Sequence, residues 1–260
     1  MRVLVTRPAG SWPELSRRFS GSGIEIEMGA TTVQVEPLDP VPADTAIARL
    51  GSYSWIVVTS GQGVKALTLR LAARESAAPP QARWAAVGPA TARALQGTGV
   101  RVDLVADDPR GEGLAAQLAP RLSVRERVLV VRPEGAAHTL LAPALRVSGA
   151  RVDEAPLYRT IASPDAARLA DDVVRGRFGA VVWTAPSALH AWLEAAPDAP
   201  RFKEALAGLR RIAIGPTTAR ALAAEGLPPD EVAEAPEAAQ VGDAILRAAA
   251  KMPPPRGGPS

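Results

Sequence analysis

The stretch Arg2-Val-Leu-Val-Thr-Arg-Pro-Ala-Gly10 returns 125 residues later as Arg127-Val-Leu-Val-Val-Arg-Pro-Glu-Gly135. Two more blocks repeat in the same order. Trp55-Ile-Val-Val-Thr59 recurs as Ala180-Val-Val-Trp-Thr184, again 125 residues on. Ala86-Val-Gly-Pro-Ala-Thr-Ala-Arg-Ala-Leu95 recurs as Ala213-Ile-Gly-Pro-Thr-Thr-Ala-Arg-Ala-Leu222, offset by 127, with eight of ten positions identical. The period is too long for a solenoid. A duplicated module explains three ordered blocks at a nearly constant offset.

Each block reads as a short apolar run, a polar or Gly-Pro break, and then a helix-period segment. The runs are Val3–Val5, Ile56–Val58, Ala85–Val87, Val128–Val131, Val181–Trp183 and Ile212–Ile214. The helical spacing shows in Val64, Leu67 and Leu71, and in Leu189, Trp192 and Leu193. Continuous apolar strands alternating with amphipathic helices indicate parallel sheets covered on both faces. Further strands near Glu25–Met28, Val102–Val105, Val152–Glu154 and Glu231–Ala233 bring each module to about five, a doubly wound α/β count. Val35–Pro42 and Ala155–Pro164 read as linkers at similar places in the two repeats. If both cross between domains, one domain is continuous and the other discontinuous; two contiguous halves are equally compatible with the residues. Lys251–Ser260 is rich in Pro and Gly and reads as a disordered tail.

Composition narrows the chemistry. The chain has 260 residues, 47% of them hydrophobic, enough for two domains of roughly 130 residues. It has no cysteine, which removes disulfides, thiol catalysis and thiolate metal sites. Its two histidines, His138 and His190, are far apart, so no metal site is expected. Net charge is +3 and is carried by arginine, with lysine only at 65, 203 and 251. The charge is scattered, so no nucleic-acid partner is expected. Guanidinium suits carboxylate and phosphate ligands, which leaves an anionic small molecule open. No apolar run reaches the ~20 residues that span a membrane. Met1–Thr6 leads straight into a strand pattern without a cleavage site, so no membrane association and a cytoplasmic location are expected.

Dinucleotide, P-loop and nucleophile-elbow motifs are missing from the sequence. Polar residues gather instead where strands end and helices begin: Thr6-Arg7-Pro8, Thr59-Ser60, Gly88-Pro89-Ala90-Thr91, Arg132-Pro133, Thr184-Ala185-Pro186-Ser187 and Gly215-Pro216-Thr217-Thr218. Ligands of open parallel sheets bind beyond these strand ends, and free helix N–H groups there favour anions. Ser, Thr and Pro are also ordinary helix-start residues. Six such ends, with Arg7 and Arg132 beside two of them, point to an anion-binding cleft. Of the two tyrosines, Tyr158 in the second linker is the candidate proton donor, and Tyr53, just before a strand, reads as packing.

Together these blocks resemble the uroporphyrinogen-III synthase family over about residues 2–250. The landmarks are Val-Thr-Arg-Pro near the N-terminus, Val57-Val-Thr-Ser60, Val87-Gly-Pro-Ala-Thr-Ala92, Glu112-Gly-Leu114 and Val130-Val-Arg132. Tyr158-Arg-Thr160, Thr184-Ala-Pro-Ser187 and Ile214-Gly-Pro-Thr-Thr-Ala-Arg220 follow in order. The resemblance implies two flavodoxin-like doubly wound parallel-sheet domains joined by a two-stranded linker, with the active site in the cleft between them. It favours a discontinuous first domain, residues 1–37 plus 161–250, and a second domain, residues 38–160, with 251–260 as the tail.

The same resemblance implies a cofactor-free lyase of heme biosynthesis. Its substrate is hydroxymethylbilane, a linear tetrapyrrole with eight carboxylates. The enzyme removes the terminal hydroxyl as water, inverts ring D through a spiro intermediate and closes uroporphyrinogen III. Carried over by motif, Tyr158 is the catalytic proton donor. Arg7, Ser60, Thr91, Arg132, Ser187, Thr217 and Thr218 bind substrate. Ala185 stands where relatives often carry a serine, which removes one hydroxyl from that turn. The implied partners are the tetrapyrrole and, transiently, the hydroxymethylbilane synthase that hands it over; a monomer is expected. The alternative is a non-enzymatic bilobed binding protein for an anionic small molecule, which would leave its ligand unchanged.

Overall fold

A computed structural model describes residues 1–135 and 140–251. His138 and the tail beyond Lys251 lie outside the described residues. The chain opens with β1 (Arg2–Val5), α1 (Pro13–Arg18), β2 (Glu25–Met28) and β3 (Thr32–Val35). Then come α2 (Val41–Ala48), β4 (Trp55–Val58), α3 (Gly61–Ala73), β5 (Arg83–Ala86), α4 (Pro89–Gln96) and β6 (Leu104–Val105). These are followed by α5 (Gly111–Leu118), β7 (Arg127–Pro133), α6 (Leu141–Arg146), β8 (Arg151–Ala162) and α7 (Ala166–Val174). The last part holds β9 (Ala180–Trp183), α8 (Pro186–Ala195), α9 (Ala199–Ala207), β10 (Arg210–Ala213), α10 (Pro216–Ala224), β11 (Glu231–Val232) and α11 (Ala238–Ala250).

Two compact units result. One joins Met1–Val33 to the chain from Ile161 onward; the other is Gln34–Thr160. The first holds a five-stranded sheet in the order β11-β10-β9-β1-β2. The second sheet runs β6-β5-β4-β7-β8-β3 and so has six strands, one more than the sequence pattern suggests. The extra strand, β3, escapes that pattern because Thr32–Val35 is short and runs straight into the Pro-rich segment. The boundary between the units falls within one linker stretch, at Thr160/Ile161, and just before the other, at Val33/Gln34, and both stretches carry regular structure. Ala155–Ala162 belongs to the twelve-residue strand β8, and Pro42 lies in the first turn of α2.

The duplication is visible in the strand registers. Val3 lies opposite Ala180, and their repeat counterparts, Val128 and Trp55, lie opposite each other. Trp55 faces Arg83 as Ala180 faces Arg210. The interlocking bonds repeat too. Thr184 Oγ1 donates to the Thr6 carbonyl at 2.7 Å, and its counterpart Thr59 Oγ1 donates to the Val131 carbonyl at 3.1 Å. Yet β1 pairs with β9 and β4 with β7, so each sheet is assembled from parts of both repeats.

Both faces of each sheet are buried, which is why its strands read as continuous apolar runs. In β4, Ile56 and Val58 pack with Val64, Leu67 and Leu95, while Trp55 and Val57 pack with Leu114, Leu118 and Leu141. In the other sheet, Leu4, Val181 and Trp183 meet Leu169 and Trp192; Val3, Val5 and Val182 meet Leu15, Val241 and Ile245. At roughly 1.5–3 kcal/mol for each fully buried large side chain, this two-sided burial is the main stabilising term.

At the N-terminal end of β7 and β8 a polar knot ties strand to loop. Tyr53, which is buried, donates to Asp153 Oδ2 at 2.8 Å, and Arg127 donates to the same oxygen at 3.0 Å. The Arg127 guanidinium also stands 5.1 Å from the Tyr53 ring centre. Burial, and then the bond to Asp153, push the Tyr53 phenol up to about 12 from its ordinary 10. Between those values the folded state keeps a proton that the unfolded chain has lost, so stability falls as pH rises. Tyr53→Phe should therefore lower stability at neutral pH by about 1 kcal/mol. Thermal melts of this variant should also decline less steeply between pH 10 and 12 than those of the wild type. An unchanged melting temperature and slope would show that the knot contributes nothing.

Candidate active site

Parallel pairing puts the C-terminal ends of β4, β5 and β7 at one edge of the six-stranded sheet, and those of β1, β9 and β10 at one edge of the other. Helices start there. Ser60, in extended conformation, caps α3 by accepting from the Gly63 N–H at 2.9 Å. Gly88, Ala185 and Gly215 hold the same place before α4, α8 and α10 but offer no capping side chain. Each is followed by proline at the first helical position, which pre-sets the helical φ and has no N–H to satisfy. The next first-turn N–H groups, those of Thr91 and Thr218 among them, make no bond to a capping side chain and carry the positive end of the helix dipole.

Thr91 and Thr218 are buried at the third position of their helices. Ser187 and Thr217 are exposed at the second position. Arg220 donates to the Thr217 hydroxyl at 3.4 Å. The two halves of the duplication therefore give the same turn: Gly, Pro, a small residue and a buried threonine.

Tyr158 lies on β8, opposite Pro133 at the end of β7. The register slips one residue earlier, since Arg132 still faces Pro156. This bulge coincides with two prolines that cannot donate to the ladder, and bulges of this kind re-aim the side chains that follow. The Tyr158 hydroxyl and Ser60 Oγ share a hydrogen bond of 2.9 Å in which either can donate. Tyr158 is buried, and it is one of the residues lining a groove of about 680 Å³ beside α3 and β3, with Gln34, Gln62 and Lys65 also on the walls. Burial raises the phenol above its ordinary value, and the Ser60 bond opposes this only partly. The group thus keeps its proton at neutral pH, as an acid must.

The two repeat-related arginines behave differently. Arg132 donates from Nε to Glu154 at 2.6 Å and from Nη1 to the Pro133 carbonyl at 2.8 Å; Arg146 also reaches Glu154. A ligand role for Arg132 requires substrate to displace Glu154. Arg7 lies over the Trp12 ring, 4.0 Å from its centre, and has no carboxylate within ion-pair distance among the described residues. Burial alone lowers its affinity for the proton.

The structure thus brings together Tyr158 and Ser60, on the same unit as Thr91 and Arg132. Arg7, Ser187, Thr217 and Thr218 belong to the other unit. Sequence reading overlooked Trp12 and the bulge. A tryptophan in a Gly-, Ser- and Pro-rich turn, and Pro156 opposite the end of β7, were the available signals. His190 is exposed on α8. Among the described residues no His, Asp and Glu cluster could hold a metal ion, and no helix is long and apolar enough to cross a membrane.

Residues 14–241 match the family model described as Uroporphyrinogen-III synthase HemD. A uroporphyrinogen-III synthase of Synechococcus elongatus is 28% identical over 159 residues, 61% of this chain and 60% of that protein. The chain therefore covers under two thirds of that relative. A putative uroporphyrinogen-III synthase of Methanothermobacter thermautotrophicus is 28% identical over 96% of this chain and 98% of its own length. The crystal structure of a mutant uroporphyrinogen III synthase from the extremely thermophilic bacterium Thermus thermophilus shares the fold. Its TM-score is 0.72 at 23% identity, covering 97% of this chain and all of that one.

Ser60 serves both as helix cap and as partner of the Tyr158 phenol. Ser60→Ala should cost about 1 kcal/mol of stability from the lost cap. Ser60→Asp, an equally good cap that carries a charge, should restore the melting temperature without restoring a neutral partner for the phenol. Denaturant titration of the three proteins checks this; equal stability of wild type and Ser60→Ala would count against the cap.

Proposed function

This chain belongs to the uroporphyrinogen-III synthase HemD family, and we propose that it converts hydroxymethylbilane to uroporphyrinogen III with loss of water. The observation that carries the reading is the desolvated, protonated phenol of Tyr158, bonded to Ser60 at the edge of a parallel sheet.

In this reading the pyrrole nitrogen of ring A drives out the terminal hydroxyl, and Tyr158 supplies the proton that lets it leave as water. The resulting azafulvene is attacked by the substituted carbon of ring D, giving a spiro intermediate. That intermediate fragments and recloses with ring D reversed. The proton released as the last pyrrole regains aromaticity returns the phenolate to phenol. Because the substrate also closes unaided to the unrearranged type I isomer, the protein's task is to hold one conformer and time one proton transfer.

Holding falls to groups that meet carboxylates: the first-turn N–H groups beside Thr91 and Thr218, the hydroxyls of Ser60, Ser187 and Thr217, and the guanidinium of Arg7. Arg132 joins them only if Glu154 yields. The residues work without a cofactor in this scheme. We further take a discontinuous first domain and a continuous second domain as the domain plan, the expected division 1–37/161–250 and 38–160 moving its first boundary to Val33/Gln34 to follow the compact units, and the protein as a cytoplasmic monomer that receives its short-lived substrate from hydroxymethylbilane synthase.

Purified protein given hydroxymethylbilane made in situ should yield, after oxidation, mainly type III porphyrin. Type I alone, as in the protein-free control, would overturn the reading. Tyr158→Phe should lower kcat on the order of 100-fold with little change in KM. Full activity in that variant would remove the phenol from the reaction.

A further inference from the structure

Arg7 and Arg132 stand at one position of the duplicated module, 125 residues apart, in the same Arg-Pro context. Arg132 is neutralised internally by Glu154. Arg7 is not, although it is partly buried and its charge is partly stripped of water. A desolvated cation without an anion is costly, and a carboxylate that completes it recovers that cost. What Arg7 has instead is an aromatic face. The indole of Trp12 lies against the guanidinium at 4.0 Å. Among the described residues the Arg7 side-chain N–H groups donate no hydrogen bond and form no ion pair, so the fork that grips a carboxylate in bidentate fashion is uncommitted.

The backbone is bent to make this placement. Trp12 has φ 50° and ψ 57°, the left-handed region, which is unfavourable for a bulky residue. Gly10 turns the same loop with φ 79°. Such strain persists where the surroundings fix it, and it gathers at ligand sites.

We propose that Trp12 is a positioning residue that holds Arg7 as an open anchor for one carboxylate arm of the tetrapyrrole, a role the duplicate Arg132 has given up to Glu154. The assignment rests on the tetrapyrrole reading for the identity of the ligand. The anchor is asymmetric: one repeat supplies the guanidinium, and the other supplies the phenol.

Binding of uroporphyrin I, an octacarboxylate that cannot react, separates this claim from the activity itself. Porphyrin fluorescence gives Kd for wild type, Trp12→Phe, Trp12→Leu, Arg7→Gln and the Trp12→Leu/Arg7→Gln pair. Trp12→Leu keeps an apolar side chain and loses the π face, so Kd should rise about fivefold. Trp12→Phe should stay within about twofold of wild type. Arg7→Gln should weaken binding further, and the double variant should be no weaker than Arg7→Gln. In turnover, Trp12→Leu should raise KM and leave kcat near wild type. Arg121→Gln, which removes an exposed charge from the other unit, reports any general charge effect and should match wild type.

A Trp12→Leu protein that binds uroporphyrin as wild type does, or effects of the two changes that simply add, would overturn the proposal. So would a wild type that does not bind uroporphyrin. If Trp12→Leu fails to fold, Trp12→Phe against Arg7→Gln still decides whether the anchor is there. A wild type that makes no type III isomer but binds uroporphyrin through Trp12 and Arg7 would refute the synthase reading and leave the anion site standing.

Discussion

The structure depends on strand pairing made between the repeats, not within them. β1 lies against β9 and β4 against β7, each in the register set by the duplication. Neither repeat completes a sheet alone. The pairing is locked where the strands end, by Thr184 on the Thr6 carbonyl and Thr59 on the Val131 carbonyl. Because β1, β9 and β10 pair parallel in one sheet and β4, β5 and β7 in the other, their ends share an edge, and the helices that follow start there with their N–H groups forward. A mixed or antiparallel pairing would scatter those helix starts over both edges.

Divergence between the copies then divides the labour. The Gly-Pro-x-Thr turns remain alike, which suits repeated capture of similar carboxylates. Ser60 and Ala185 have parted: only Ser60 carries a hydroxyl, and only it meets a phenol. Arg7 and Arg132 have parted in the opposite sense. A substrate with many acidic arms and one leaving hydroxyl needs many holding groups and one acid, and the distribution of residues follows that demand.

Much of this was legible in the residues. Continuous apolar runs at a fixed period give strands, and Gly-Pro-x-Thr marks helix starts by the chemistry of caps and prolines. The exchange of strands between repeats was harder to read, because β1 and β7 carry nearly the same pattern and either could satisfy β4. β3 was hidden by its length, and the reach of β8 by Pro156, a residue that ordinarily argues against an inner strand. The bulge resolves that conflict. The quenching of Arg132 depends on Glu154, brought close only by the β7–β8 register, and the stacking of Arg7 on Trp12 depends on a left-handed turn. Such contacts belong to tertiary geometry and leave no periodic trace.

At the centre of the proposed chemistry one phenol, kept neutral by burial, carries the proton. The chain has only two tyrosines, so 13C NMR of protein labelled at the tyrosine ring carbon bearing the hydroxyl gives two resolvable titrations. The Tyr53 signal should titrate at about 12, and the Tyr158 signal, assigned by its loss in Tyr158→Phe, above the ordinary 10. A Tyr158 signal that titrates at or below 10 would contradict this, because the phenol would then be an ordinary solvated group and not the acid held ready at the strand edge.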